Sequence, residues 1–109
     1  MAQILAYITA ENMEEARRIG RVLVENKLAA CVNALENMTS MYMWKGKMET
    51  SREVVLLAKT REELKDRLTE KVLEVHSYEC PCVVFIPLSG GHREFLDWID
   101  AETGQSGQS

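Results

Sequence analysis

Apolar residues recur along the chain with two periods, one typical of strands and one typical of helices. A short apolar run at residues 3–8 predicts the first strand. The first helix is expected to begin at Asn12, because Asn12 and Glu15 have the spacing of a capping box. Its apolar stripe is formed by four residues at helical spacing, Ala16, Ile19, Gly20 and Leu23. The almost continuously apolar segment 28–35 then predicts a second strand.

The middle of the chain predicts a long hairpin. Residues 38–48 have the pattern of a strand that is bent or bulged near Gly46. The polar segment 49–52 is the expected turn, and residues 54–59 form the return strand.

The second half repeats the order of the first. Thr60 and Glu63 again have capping-box spacing and predict a helix that ends near His76. Residues 80–87 are expected to form a strand, and residues 92–101 a short terminal helix. The whole order predicts an α+β fold of the ferredoxin-like βαββαβ type, with one antiparallel sheet, a long hairpin and a short C-terminal helix.

The predicted strands are apolar on both sides, although two long helices cover only one face of a sheet. We therefore expect a homo-oligomer that covers the open face. The folded domain is expected to span residues 1–102, followed by a flexible, Gly/Gln/Ser-rich tail at 103–109.

Composition narrows the classes of function. The 109 residues are 46% hydrophobic and 28% charged, with a net charge of −4, which argues against nucleic acid or an anionic membrane as a partner. No apolar stretch approaches the ~20 residues that cross a bilayer. The first residues lack the basic segment of a secretory signal, so the expected location is the cytoplasm. The sequence offers no nucleophile with its base, so an enzyme is not expected.

Two cysteines and a histidine form the candidate metal site. Cys80 and Cys82 lie two residues apart on a predicted strand, so their thiols share one face, and His76 lies a short loop upstream. Two soft thiolates and an imidazole would suit copper, as Cu(I), or zinc or another divalent cation. The alternative is that both cysteines pack as small apolar side chains. Cys31, in an apolar strand, is expected in the core or at a subunit interface.

Five sequence blocks together resemble the CutA divalent-ion tolerance family. They run in order and at the family's spacing from about Ile4 to Ala101, and they begin at Leu28, Thr39, Lys59, His76 and Phe95. The resemblance implies a ferredoxin-like protomer in a compact trimer, similar in architecture to PII signalling proteins. It also implies a role in tolerance of copper and other divalent ions, and no established enzymatic activity.

The chain departs from the family pattern near the candidate metal site. Ser77 stands where the family usually has Pro, and Cys82 where it usually has Glu. The positions that match the family's copper ligands are Ile8, Val75 and His76, so only His76 is retained.

The resemblance also implies an inter-subunit cleft or interface, which we assign to Cys31, Tyr42, Trp44, Lys59, Tyr78, Glu79 and Trp98. Two functions follow as expectations. The first is a trimeric protein of the response to metal ions that binds a copper-type ion. The alternative is a PII-like signalling or scaffolding trimer whose clefts bind a small anionic metabolite or a partner protein.

Overall fold

The computed structural model describes residues 2–104 and has the expected order of elements. Four strands and three helices follow one another as β1 (Gln3–Ala10), α1 (Met13–Glu25), β2 (Cys31–Trp44), β3 (Lys47–Arg61), α2 (Lys65–Val75), β4 (Val83–Pro87) and α3 (Arg93–Glu102), with a 3-10 turn at Glu62–Leu64.

The strands form one antiparallel sheet in the order β2-β3-β1-β4. Ala6 lies opposite Ala58 and Ile8 opposite Leu56, and all four side chains are buried. Small and branched side chains at these positions let α1 and α2 pack closely on the sheet, through buried residues that include Ile19, Leu23, Leu68 and Val72. The architecture confirms the expected ferredoxin-like fold.

Helix α1 begins as its sequence predicts. The Asn12 side chain caps the helix, because its Oδ1 accepts a 2.8 Å hydrogen bond from the Glu15 N–H. The Glu15 carboxylate does not complete the box on Asn12. It accepts instead from the Glu11 N–H at 3.1 Å, one residue earlier.

The hairpin turn lies before the predicted segment 49–52, which is part of β3. The strands are joined at Lys45 and Gly46, which have positive φ angles of 51° and 82°. Two-residue turns of this kind match the right-handed twist of the strands, and glycine tolerates the conformation. The predicted bulge is also displaced, because the register shifts between Leu35 and Met38 rather than near Gly46.

Two other boundaries differ from the prediction. Thr60 does not cap α2, because it belongs to β3 and its buried Oγ1 donates a 2.7 Å hydrogen bond to the Leu28 carbonyl. Strand β4 starts at Val83, so Cys80 and Cys82 lie in the loop that precedes it. Thr60 has a local tendency to cap a helix. In the folded protein the buried hydrogen bond of its hydroxyl to a backbone carbonyl outweighs that tendency, and Thr60 stays in the strand.

Helix α3 covers one end of the other sheet face. Arg61 donates to the Thr103 Oγ1 at 2.7 Å and to its carbonyl at 3.0 Å, and Gln3 donates to the Asp100 carboxylate. Thr103, which the sequence assigns to the tail, is therefore buried with the domain, while residues 105–109 lie outside the described residues. The rest of this face presents exposed apolar side chains, among them Leu35, Val84 and Ile86. None of the helices within residues 2–104 has the length and apolar character needed to cross a membrane.

Candidate functional site

A concave site of about 480 Å³ lies between the hairpin and the loop that joins α2 to β4. This cleft is lined by Thr9, Tyr42, Trp44, Glu53, Ser77, Tyr78, Glu79, Cys80 and Cys82. Strands β1, β2 and β3 supply the first four residues, and the loop supplies the others. Six of the predicted site residues therefore meet in one place.

A hydrogen bond between Tyr78 and Glu53 joins the loop to the hairpin. The Tyr78 hydroxyl donates to the Glu53 carboxylate at 2.7 Å, and Glu53 is only 8% exposed. Burial, together with the adjacent Glu53 carboxylate, raises the pKa of Tyr78 well above its ordinary value, so the phenol stays protonated as a donor. The sequence analysis did not single out Glu53. One feature of the sequence could have identified it: Glu53 is a carboxylate immediately before the apolar segment that starts at Val54.

His76 lies at the start of the loop, directly after α2, and does not line the cleft. Its side chain is fully buried. Nε2 lies 2.7 Å from the Thr9 carbonyl and Nδ1 accepts a 3.1 Å hydrogen bond from the Tyr78 N–H. A backbone N–H can only donate, so Nδ1 accepts from Tyr78 and Nε2 is the nitrogen placed to donate to the Thr9 carbonyl. Both nitrogens are thus engaged by the backbone, and the expectation that His76 ligates a metal does not fit this arrangement.

Glu15 anchors the same loop from α1. Its Oε2 accepts a 2.8 Å hydrogen bond from the Ser77 N–H and lies 3.6 Å from the His76 Nδ1. Burial alone would raise the pKa of this carboxyl, but hydrogen bonds from Ser77 and Glu11 lower it below the ordinary value. Glu15 is therefore a buried carboxylate that positions the loop, a role that its place in the capping box did not indicate.

The two loop cysteines both line the cleft, although the reason given from sequence was wrong. They do not share a strand face, because β4 begins after them. Cys80 is exposed and Cys82 half-buried. Burial, the Glu53 carboxylate and Cys80 raise the pKa of the Cys82 thiol. Within the described part of the chain, no three His, Cys, Asp or Glu side chains form a preformed metal site.

The remaining predicted residues lie elsewhere. On the open sheet face, the Lys59 ammonium donates to the Asn33 side chain and lies 3.5 Å from the Cys31 sulfur. The Trp98 ring packs on Phe95 with 5.5 Å between ring centroids, on α3. Within one protomer Cys31, Lys59 and Trp98 therefore do not line the cleft, and their place at a subunit interface stays a prediction.

The charge of the cleft limits what it can bind. Among its described lining residues, the charged side chains are the carboxylates of Glu53 and Glu79. Carboxylates in a partly enclosed site attract cations and repel anions. The part of the cleft formed by this protomer therefore favours a cation, and the small anionic metabolite expected at a cleft between subunits stays a prediction.

Comparison with known proteins places the chain in a family. The model of the CutA1 divalent ion tolerance protein family matches residues 4–102. A divalent-cation tolerance protein CutA of Archaeoglobus fulgidus is 47% identical over 94 residues, which cover 86% of this chain and 91% of the relative. The chloroplastic protein CutA 1 of rice is 41% identical over 103 residues, which cover 94% of this chain but only 58% of the relative.

Solved structures agree with these sequence matches. The structure described as the periplasmic divalent cation tolerance protein CutA from Archaeoglobus fulgidus superposes with a TM-score of 0.91 at 43% identity, covering 94% of this chain and 99% of that one. The residues matched by the family model run from β1 to the last turn of α3 and include the hairpin and the loop that form the cleft. The chain therefore belongs to the CutA1 divalent ion tolerance family.

Proposed function

We propose that this protein acts in tolerance of divalent cations by binding a thiophilic metal ion, of the copper or zinc type, at the outer edge of the cleft. The observation that carries the proposal is the position of Cys80 and Cys82, whose thiols line the same acidic cleft as Glu53 and Glu79. Thiolates are soft ligands that suit Cu(I) and Zn(II), and nearby carboxylates add favourable charge. His76 takes no part as a ligand in this proposal and instead positions the loop.

Metal binding at this site would be coupled to proton release. The raised pKa of Cys82 means that this thiol is protonated at neutral pH, whereas the ligand form is the thiolate. A bound cation would offset the repulsion between that thiolate and Glu53. The apparent affinity should therefore increase with pH.

We also propose that the working form is a homotrimer in the cytoplasm with no catalytic activity. The open sheet face carries exposed Leu35, Val84 and Ile86, and the hairpin carries exposed Met41, Met43 and Met48. Apolar area of this kind is typical of a surface that is covered in an assembly. Light scattering after size exclusion tests the assembly, and a monomer at micromolar concentration would contradict it.

The metal proposal is tested by titrating the reduced protein with Zn(II), and with Cu(I) in competition with a chromogenic chelator. The variant Cys80→Ser/Cys82→Ser should bind at least about tenfold more weakly, because two soft ligands are removed. Cys31→Ser is the matched control, because Cys31 lies outside the cleft, and it should bind as the unmodified protein does. Equal affinity in the double variant and the control would overturn the proposal.

The second candidate function is the PII-like one, in which the cleft binds a small ligand or part of a protein. One observation favours it. The cleft has about 480 Å³ and aromatic walls, which is far more room than a metal ion needs.

A further inference from the structure

Three aromatic rings and one buried carboxylate line the cleft, and together they have the composition of a site for an organic cation. We propose that the cleft binds a small substituted ammonium ion, held against the rings of Tyr42, Trp44 and Tyr78 and beside the Glu53 carboxylate. The inference rests on the second candidate function, that the cleft takes a small ligand. It is independent of metal binding by the loop cysteines.

The first argument is the state of Glu53. Glu53 is a buried residue, so its carboxylate needs partners to replace its lost hydration, and it can accept several hydrogen bonds. The Tyr78 hydroxyl supplies one of these, at 2.7 Å. Within residues 2–104 no Lys, Arg or His forms an ion pair with Glu53. A cationic ligand in the cleft would provide the missing positive charge.

The second argument is the aromatic wall. Tyr42 and Trp44 are two residues apart on β2, so their side chains lie on the same face of the hairpin. In the single protomer both are about two-fifths exposed, and Tyr78 lines the same cleft. The faces of these rings carry negative electrostatic potential and attract substituted ammonium ions. Lys45 already lies near the Trp44 ring, with its ammonium 5.9 Å from the ring centroid.

The third argument is size. A volume of about 480 Å³ is within the range of small-molecule sites and is too large for contact with one bare metal ion on all sides. An alkylated ammonium ion combines a positive charge with an apolar surface. This combination matches a wall that is mostly aromatic and whose described charged residues, Glu53 and Glu79, are both acidic.

The test is a fluorescence titration of the full chain with tetramethylammonium at constant ionic strength. The chain has two tryptophans, so Trp98→Phe leaves Trp44 as the reporter. Tert-butanol is the uncharged probe of similar shape, and acetate is the anionic probe. We expect saturable change with tetramethylammonium and none with the other two.

Two charge variants then test the role of Glu53. Glu53→Gln retains an acceptor for the Tyr78 hydroxyl and should raise the apparent Kd at least about fivefold, because the buried charge is lost. Glu70→Gln removes the same charge from an exposed position on α2 outside the cleft and should leave the Kd unchanged. If Glu53→Gln does not fold, Trp44→Leu followed by calorimetry tests the aromatic wall instead, because Trp44 is exposed on the hairpin, and it should also raise the Kd for tetramethylammonium.

The inference is overturned if tetramethylammonium does not saturate, if tert-butanol binds equally well, or if Glu53→Gln and Glu70→Gln have the same Kd. Binding of tetramethylammonium and binding of metal can be tested independently of each other. The variant Cys80→Ser/Cys82→Ser keeps the aromatic wall and Glu53, so it should still bind tetramethylammonium whether or not the unmodified protein binds Cu(I) or Zn(II).

Discussion

The Tyr78 hydroxyl donates a 2.7 Å hydrogen bond to the carboxylate of Glu53, and this contact joins two parts of the chain that are 25 residues apart. It links the loop after α2 to the return strand of the hairpin, and both residues line the cleft. Glu53 is buried, so the bond also satisfies a carboxylate that would otherwise lose its hydration without replacement.

Removing the Tyr78 hydroxyl should destabilise the folded protein. Tyr78→Phe leaves a buried carboxylate without its hydrogen bond and should lower the free energy of unfolding by about 1–3 kcal/mol. Urea denaturation measures the change. Tyr42→Phe is the matched control, because the Tyr42 hydroxyl makes only a long, exposed contact of 3.4 Å with Ser51, and it should cost less than about 0.5 kcal/mol. Equal losses in the two variants would argue against a structural role for the Tyr78–Glu53 bond.

Glu15 should make stability depend on pH on the acid side. The pKa of Glu15 in the folded protein is below its ordinary value of 4.5, so the carboxylate stabilises the fold above that pH. This contribution is lost as the pH falls below 4.5 and then passes the lowered pKa that Glu15 has in the folded protein. Glu15→Gln should therefore be less stable than the unmodified protein at pH 7, and the difference should shrink on acidification.

The comparison for Glu15 is Glu70→Gln, a substitution at an exposed position on α2. Thermal unfolding followed from pH 7 to acid should give nearly parallel curves for this variant and the unmodified protein. A Glu15→Gln curve that also runs parallel would show that the buried carboxylate does not contribute through its ionisation.

Cys82 should react slowly with alkylating agents at neutral pH. Its pKa is raised by burial, by Glu53 and by Cys80, and the thiolate is the reactive form. In a Cys31→Ser/Cys80→Ser protein, iodoacetamide should modify Cys82 more slowly than it modifies Cys80 in a Cys31→Ser/Cys82→Ser protein. Adding Glu53→Gln should accelerate the Cys82 reaction, because one cause of the raised pKa is removed. An unchanged rate would contradict the electrostatic effect of Glu53 on the Cys82 thiol.

The hairpin turn should be sensitive to substitution at Gly46. Its φ of 82° is strained for a residue with a β-carbon, although no atom lies within 4 Å of the added carbon. Gly46→Ala should therefore destabilise the protein by about 1 kcal/mol through backbone strain alone. Gly90→Ala is the control, because Gly90 has the same open surroundings and no positive φ, and it should be neutral or slightly stabilising. Equal effects would mean that the turn conformation does not need glycine.

The sequence by itself determined the order of elements and the fold. Apolar periodicity identified the strands and helices, because burying one face of each element is a strong local constraint on residue type. It also identified the Asn12 cap, whose partner is only three residues away. The boundaries that it missed at Thr60 and at β4 depend on contacts with Leu28 and with β1, which are distant in sequence. The turn that it misplaced at 49–52 depends on the register between β2 and β3.

Only the tertiary structure decided how the candidate residues are used. The spacing of His76, Cys80 and Cys82 suggested one donor set, but backbone groups at Thr9 and Tyr78 engage both nitrogens of the imidazole. The acid that completes the cleft, Glu53, comes from a strand far along the chain. Hydrogen bonding and burial depend on which residues fold against one another, and one-dimensional spacing does not contain that information. Sequence therefore supplied the side chains, and folding selected which of them line the cleft.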